Sequence, residues 1–285
     1  MRVIFWHSIH KRELGLSEAL AAGAARCGDA VELRPVTAEP EMVKPELVDC
    51  DAVCMVGVKM RDWFKLYRDA GVPVVFFDKG YVRELRWLRF WRVSINELQP
   101  IRYIETERHT LERWDSFRVR QRSSKGGSAL LIGGSSGKAM QFFGIEDPNA
   151  WARDVVAKVR QKVDWPIIYR PKPSWAGAEP IEGTVFSRDR YGLSDCIKAS
   201  RVMVVHSSNA CFDAAMAGLQ TIVLGDGITK PISSTTLDDF EQPRVACKAE
   251  RSQWLANVAW CQFTLKEFAE GLGWRQIRTM IEVAA

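Results

Sequence analysis

The chain has 285 residues, 47% apolar and 26% charged, enough for two ordinary domains or one large one with a full core. No run of about 18 apolar residues occurs, and the N-terminal MRVIFWHSIHKRE turns polar too soon for a secretory signal, so no membrane span and a cytoplasmic location are expected. Seven cysteines without a CxxC pair and four scattered histidines give no zinc-ligand spacing, so reduced thiols and no metal are expected.

In chain order, Arg2–Trp6 predicts a buried strand and Leu14–Arg26 a helix stopped at Gly28. Strands follow at Ala30–Leu33, Asp51–Val58 and Val72–Phe77, with a helix over Arg61–Ala70 before the last of them. Strands apolar on both faces, alternating with helices, indicate a parallel sheet covered by helices. The pattern loosens from Lys79 to Lys125, and Arg122–Gly127 (RSSKGG) is a candidate linker. The rhythm then restarts: strand Ala129–Ile132, helix Pro148–Val163, strand Pro166–Arg170, strand Arg201–Val205, helix Ala210–Ala217 and strand Thr221–Leu224. Arg251–Glu282 reads as helical, with aromatic residues on its faces.

Residues 79–125 carry twelve basic against six acidic side chains, which accounts for the whole formal excess of +5. Arg83, Arg86, Arg89 and Arg92 recur every third residue among Trp87, Phe90 and Trp91. As a helix this would be a basic stripe able to track phosphates, with aromatics to stack on a base. A solvated helix face with its tryptophans packed inward is the plainer alternative.

Three strand-end loops in the second half are suited to an anion. His206-Ser207-Ser208-Asn209 lies between a strand and a helix, where free N–H groups and the helix dipole favour phosphate, and Asp213 follows within reach of ribose hydroxyls. An ordinary N-cap accounts for the serines as well. Arg170-Pro171-Lys172-Pro173 presents two cations at a strand's C-terminal end, where open α/β sheets bind ligands. A solvated surface turn is its alternative. Gly133-Gly134-Ser135 opens GGSSGK, which lacks Walker spacing but lets a diphosphate approach the backbone.

The stretch from Gly183 to Gly227, with LSDCIKAS and VVHSSNACFDAAMAGLQTIVLG, resembles the donor-binding half of GT-B glycosyltransferases, closest to the capsular-polysaccharide and sialyltransferase-like group. That resemblance implies a Ser pair and an acidic residue on the donor nucleotide and a basic-Pro motif on its phosphate. Here Lys172 stands where the family has His, and Asp213 where Glu is more usual. DKGYVR at 78–83, RVSIN at 92–96, RSQW at 251–254 and AWCQFT at 259–264 resemble phage-encoded glycosyltransferases, which implies an acceptor such as a hydroxymethylated pyrimidine in DNA.

The expectation is therefore an α/β fold of two Rossmann-like domains facing across a cleft, GT-B-like, with parallel sheets and C-terminal helices packing back on the domains. The acceptor domain spans 1–125, the donor domain 126–250 and the helices 251–285. A nucleotide sugar, UDP-linked as first choice, would be the donor, with no further cofactor. Asp78 and His7, at strand ends, are the candidate bases, and Lys79, Arg83, Arg86 and Asn96 the acceptor-side residues. DNA is a second candidate partner through 79–125. A surface-polysaccharide glycosyltransferase and a non-catalytic DNA-binding protein are the rival functions, and the oligomeric state is open.

Overall fold

The computed structural model describes residues 1–82, 89–122, 126–135, 137–188 and 192–284. In chain order the elements begin with β1 (Arg2–Ser8), α1 (Lys11–Arg26), β2 (Ala30–Val36), β3 (Ala52–Val56), α2 (Arg61–Asp69), β4 (Val74–Lys79), β5 (Phe90–Ile95), α3 (Ile101–Thr106) and α4 (Glu112–Ser116). Then come β6 (Ala129–Gly133), α5 (Gly137–Gln141), α6 (Pro148–Arg160), β7 (Ile167–Arg170), β8 (Val185–Phe186), α7 (Leu193–Ala199), β9 (Ser200–Val205), α8 (Ala210–Met216) and β10 (Gln220–Val223). The chain ends with α9 (Lys248–Ala259), β11 (Gln262–Thr264), α10 (Leu265–Ala269) and α11 (Leu272–Ala284). No helix among the described residues is long and apolar enough to cross a membrane.

The chain forms two compact units, Met1–Val119 with Leu255–Ala285, and Arg120–Trp254. The first unit holds a six-stranded sheet in the order β11-β5-β4-β3-β1-β2. Strands β2, β1, β3 and β4 are parallel, while β5 runs antiparallel to β4 and β11 antiparallel to β5. Val3–Phe5 and Val74–Phe77 are fully buried, because helices cover both faces of a parallel sheet. Helix α1 ends where Gly28 takes a φ of 79°, the left-handed conformation that glycine adopts without a Cβ penalty. Its Gly23 lets α10 approach closely: a Cβ there would lie 1.8 Å from the Phe268 carbonyl oxygen.

The second unit has five parallel strands in the order β10-β9-β6-β7-β8. Leu130, Ile132, Val202, Val204 and Ile222 meet Ala152, Val155 and Val159 of α6 in its core. The start of α6 is fixed by Asp147, whose Oδ1 accepts from the Asn149 and Ala150 amides at 2.8 and 3.0 Å, with Pro148 in the first turn.

Two expectations of local structure need correction. The arginine stripe is not one helix: Arg83 and Arg86 lie outside the described residues, and Phe90–Ile95 is a strand between β4 and β11 with every residue buried. The tail is not continuous helix either. It breaks at Cys261, adds β11 to the first sheet, and restarts through a capping box in which Thr264 Oγ1 accepts from the Glu267 amide and Glu267 from the Thr264 amide. The ends of the stretch read as a linker are bonded within the second unit, Arg122 N to Met216 O and Gly127 N to Ser200 O.

Candidate functional site

In the second unit the C-terminal ends of β6, β7, β9 and β10 bring together the loops singled out in the sequence. Gly133 pairs with both Arg170 and Val205, so the loops after β6, β7 and β9 leave the sheet at one level. Ser135 and Ser207, both buried, approach to 3.4 Å through their hydroxyls. The glycines before Ser135 are closely packed: a Cβ on Gly133 would meet the flexible end of Met203, Cε, at 2.2 Å, and one on Gly134 the Pro171 Cα at 3.0 Å.

Arg170 ends β7 and donates from Nη1 to the Ser187 carbonyl, which turns its guanidinium along the β8 side. Lys172 is exposed in a turn closed by the Trp175 amide on its carbonyl. Ser208 Oγ accepts from the Ala210 amide at 3.4 Å, so part of the serine pair serves as a local cap, the plainer alternative seen in the sequence. Asn209 precedes α8 without capping it through its side chain, and Asp213 is half-buried in that helix.

His206 is the most constrained of these residues. Its ring lies against the Gly225 backbone, where a Cβ would come within 2.3 Å, and edge-on to Phe143 and Trp151 at 5.2 and 6.0 Å. Burial pushes its pKa below the ordinary histidine value, with Asp226 opposing and Lys230 adding to the effect. Its Nδ1 is buried without a hydrogen-bond partner among the described residues. Gly225, Ser187 and the Phe143–Trp151 wall were not singled out by sequence reasoning. Gly225 carried a signal, since it directly follows the strand end in LGDG; Ser187 carried none.

In the first unit His7 is buried at the end of β1, its Nδ1 2.9 Å from the Ser8 carbonyl oxygen and its ring edge-on to Phe5. Asp78 does not stand free beyond a strand, because β4 continues to Lys79 and Asp78 pairs in register with Arg92. Its Oδ2 takes Arg92 Nη2 at 3.0 Å and its Oδ1 the Lys79 amide at 2.7 Å. Lys79 is exposed. Asn96 is a turn residue at the opposite edge of the sheet: with φ at 59°, its Oδ1 accepts from the Val74 amide at 2.8 Å, where β4 begins. Antiparallel β5 carries it there, away from His7 and Lys79.

Much of the basic excess is engaged within this unit. Arg92 is buried against Asp78 and Gln99, Arg102 donates to the Ala284 carbonyl and Arg108 to those of Glu105 and Glu107. Arg113 bonds Glu267 and the carbonyls of Ala259 and Gln262.

No family model matches this chain, and no curated protein matches it. Solved structures do. The β-Kdo 2,7 transferase of Thermosulfurimonas dismutans KpsC aligns over 97% of this chain and 100% of its own, with a TM-score of 0.53 and 13% identity. The β-Kdo 2,4 transferase of the same KpsC aligns over 88% and 89%, with a TM-score of 0.52 and 14% identity. This chain shares their fold. It is a two-domain Rossmann-like α/β architecture with C-terminal helices, its second sheet wholly parallel and its first parallel except where β5 pairs with β4 and β11.

Proposed function

We propose that the protein is a glycosyltransferase that moves a sugar from a nucleotide sugar to an acceptor hydroxyl, with the donor held by the second unit. The observation that carries this reading is the edge where Ser135 and Ser207 meet at 3.4 Å at the ends of β6 and β9, beside the loop bearing Arg170 and Lys172. Hydroxyl donors and cations at the C-terminal edge of a parallel sheet suit a diphosphate or monophosphate, and would stabilise it as the leaving group. The fold shared with two sugar transferases supports the same reading. Gly133, Gly134, His206, Ser208, Asn209 and Asp213 complete the proposed donor surface, with a UDP-sugar as first choice.

On the acceptor side we favour His7 over Asp78 as general base. With Nδ1–H donated to the Ser8 carbonyl, the His7 Nε2 lone pair is left to take a proton, whereas both Asp78 oxygens are engaged. A small carbohydrate acceptor is favoured over hydroxymethylated pyrimidine in phage DNA. Arg92 and Arg113 of the basic segment are tied to acids within their own unit, and Arg102 and Arg108 to its carbonyls, which supports the smaller acceptor.

A thermal-shift screen against UDP, GDP, CMP, dTDP and ADP with their sugar conjugates tests the donor site. At about 100 times its dissociation constant a ligand stabilises by about 2.7 kcal/mol, a shift of a few degrees. One nucleotide should raise the midpoint and lose that effect in Arg170→Ala. No shift with any of them would remove the donor assignment. Hydroxymethylpyrimidine DNA and oligosaccharides, offered with the identified donor, then separate the acceptors.

A further inference from the structure

The first β–α turn of the first unit bears charges that its own structure does not answer. Helix α1 runs sixteen residues from Lys11, and no side chain caps its start at His10. His10, Lys11 and Arg12 thus crowd the positive end of a long helix dipole, where acidic groups are the stabilising choice. Glu13, the one acid in this first turn, faces back to the Ser8 amide at 3.0 Å.

Arg12 is held in place without a carboxylate. Its guanidinium lies over the Trp91 ring at 4.2 Å, and it has no ion-pair partner among the described residues. Lys79 stands directly opposite Trp91 across the β4–β5 ladder, so the two side chains leave the sheet on the same face. Lys79 is exposed and likewise has no carboxylate partner among the described residues. Asp78, one residue earlier, points to the other face and is shared with Arg92. Two exposed cations thus neighbour one buried tryptophan, Arg12 over its ring and Lys79 beside it in the ladder, at the C-terminal ends of β1 and β4, the end that also carries His7. A stacked guanidinium keeps its N–H fork open to a planar or tetrahedral oxyanion.

We infer that Arg12 and Lys79, both next to Trp91 on one face of the sheet, form a binding site for an anionic group of a small acceptor, a phosphate or a carboxylate on a sugar. The anion site stands on the first unit's geometry; assigning it to the acceptor rests on the donor occupying the second unit.

The test uses the full chain labelled with nitrogen-15 and follows the Trp91 indole N–H resonance, assigned with Trp91→Phe. Glucose 6-phosphate and glucuronate are titrated, with glucose as the neutral control. A saturable shift with an anionic sugar and none with glucose is expected, weakened at least tenfold in the Arg12→Gln/Lys79→Gln double variant. Response to glucose 6-phosphate alone assigns a phosphorylated acceptor, and to glucuronate alone a sugar acid. No saturable shift with either sugar, or an undiminished one in the double variant, overturns the site. Should the double variant unfold, Lys79→Gln alone, at an exposed position, gives the same reading. The Trp151 indole reports nucleotide binding in the second unit. If Trp151 stays silent while Trp91 responds, the donor assignment fails and the anion site stands.

Discussion

Arg92 reaches Asp78 across the β4–β5 ladder at 3.0 Å, and the arginine is almost wholly buried while the aspartate is one-third exposed. The pair is in register, so it fixes the alignment of an antiparallel strand against a parallel sheet. Removing one partner of a buried pair leaves a charge without its counter-ion. Asp78→Asn is expected to cost about 1–2 kcal/mol after allowance for the solvent at the aspartate. The urea midpoint at neutral pH measures it.

His7 and Asp78 separate kinetically once a donor is known. His7→Ala should lower kcat by about 100-fold or more, the usual contribution of a positioned base. Asp78→Asn should leave the kcat of the folded enzyme within a few-fold of wild type. The reverse pattern would return the role of base to Asp78.

Gly225 is expected to tolerate no side chain. A Cβ would fall 2.3 Å from the His206 ring, which Phe143 and Trp151 flank. Gly225→Ala should cost about 1–3 kcal/mol through overpacking and weaken nucleotide binding as the loop after β9 moves. Thermal melts with and without the nucleotide measure both effects.

Stability should fall on the acid side through His109. Gln276 donates to the Tyr103 hydroxyl, which shares a hydrogen bond with His109 Nε2. Burial holds the His109 pKa below its ordinary value, with Glu107 opposing. The unfolded chain therefore binds the proton first. The contribution is complete above about pH 6.5 and is lost as pH falls from there through the folded value. His206, depressed by its own burial, acts in the same direction. Urea midpoints at two pH values, one above and one below that range, should differ less in His109→Gln than in wild type. An equal difference would exclude the Tyr103 network as a source.

Arg113 should prove a structural arginine. It ties α4 to Ala259, Gln262 and Glu267 through three hydrogen bonds and lies over the rings of Trp260 and Phe263. Arg113→Ala is expected to destabilise by about 2–4 kcal/mol, and Arg113→Lys by somewhat less, since ammonium cannot reproduce the planar fork. Calorimetry on the two variants decides it.

Most of the parallel strands were legible because they are short apolar runs bounded by turn residues: RVIFW, VPVVFF, ALLI and RVMVV all lie within or overlap strands of the two sheets, whereas the two-residue Val185–Phe186 strand gave no such run. Strand β5 was not, because Arg89 and Arg92 impose a three-residue rhythm on a segment whose buried arginine is paired with Asp78, a partner that periodicity cannot show. The break at Cys261 was hidden by the aromatic residues on either side. The Thr264–Glu267 capping box was its available sign. In the candidate site, loop chemistry was visible in Ser135, Arg170 and Ser207. The fit of His206 to Gly225 depends on the pairing of β9 with β10 and so emerges only from the fold.

Strand β11 closes the edge of a sheet whose other five strands all precede Val119. During synthesis on the ribosome, β5 therefore emerges with one side uncovered and waits while the whole of Arg120–Trp254 is made. Burial of Trp91 and Phe90 is completed only when Gln262–Thr264 leaves the exit tunnel. The second unit, contiguous in the chain, can fold first. A nascent chain stalled between Trp254 and Thr264 would expose an unpaired, apolar strand, making that interval the point in its biogenesis most in need of a chaperone.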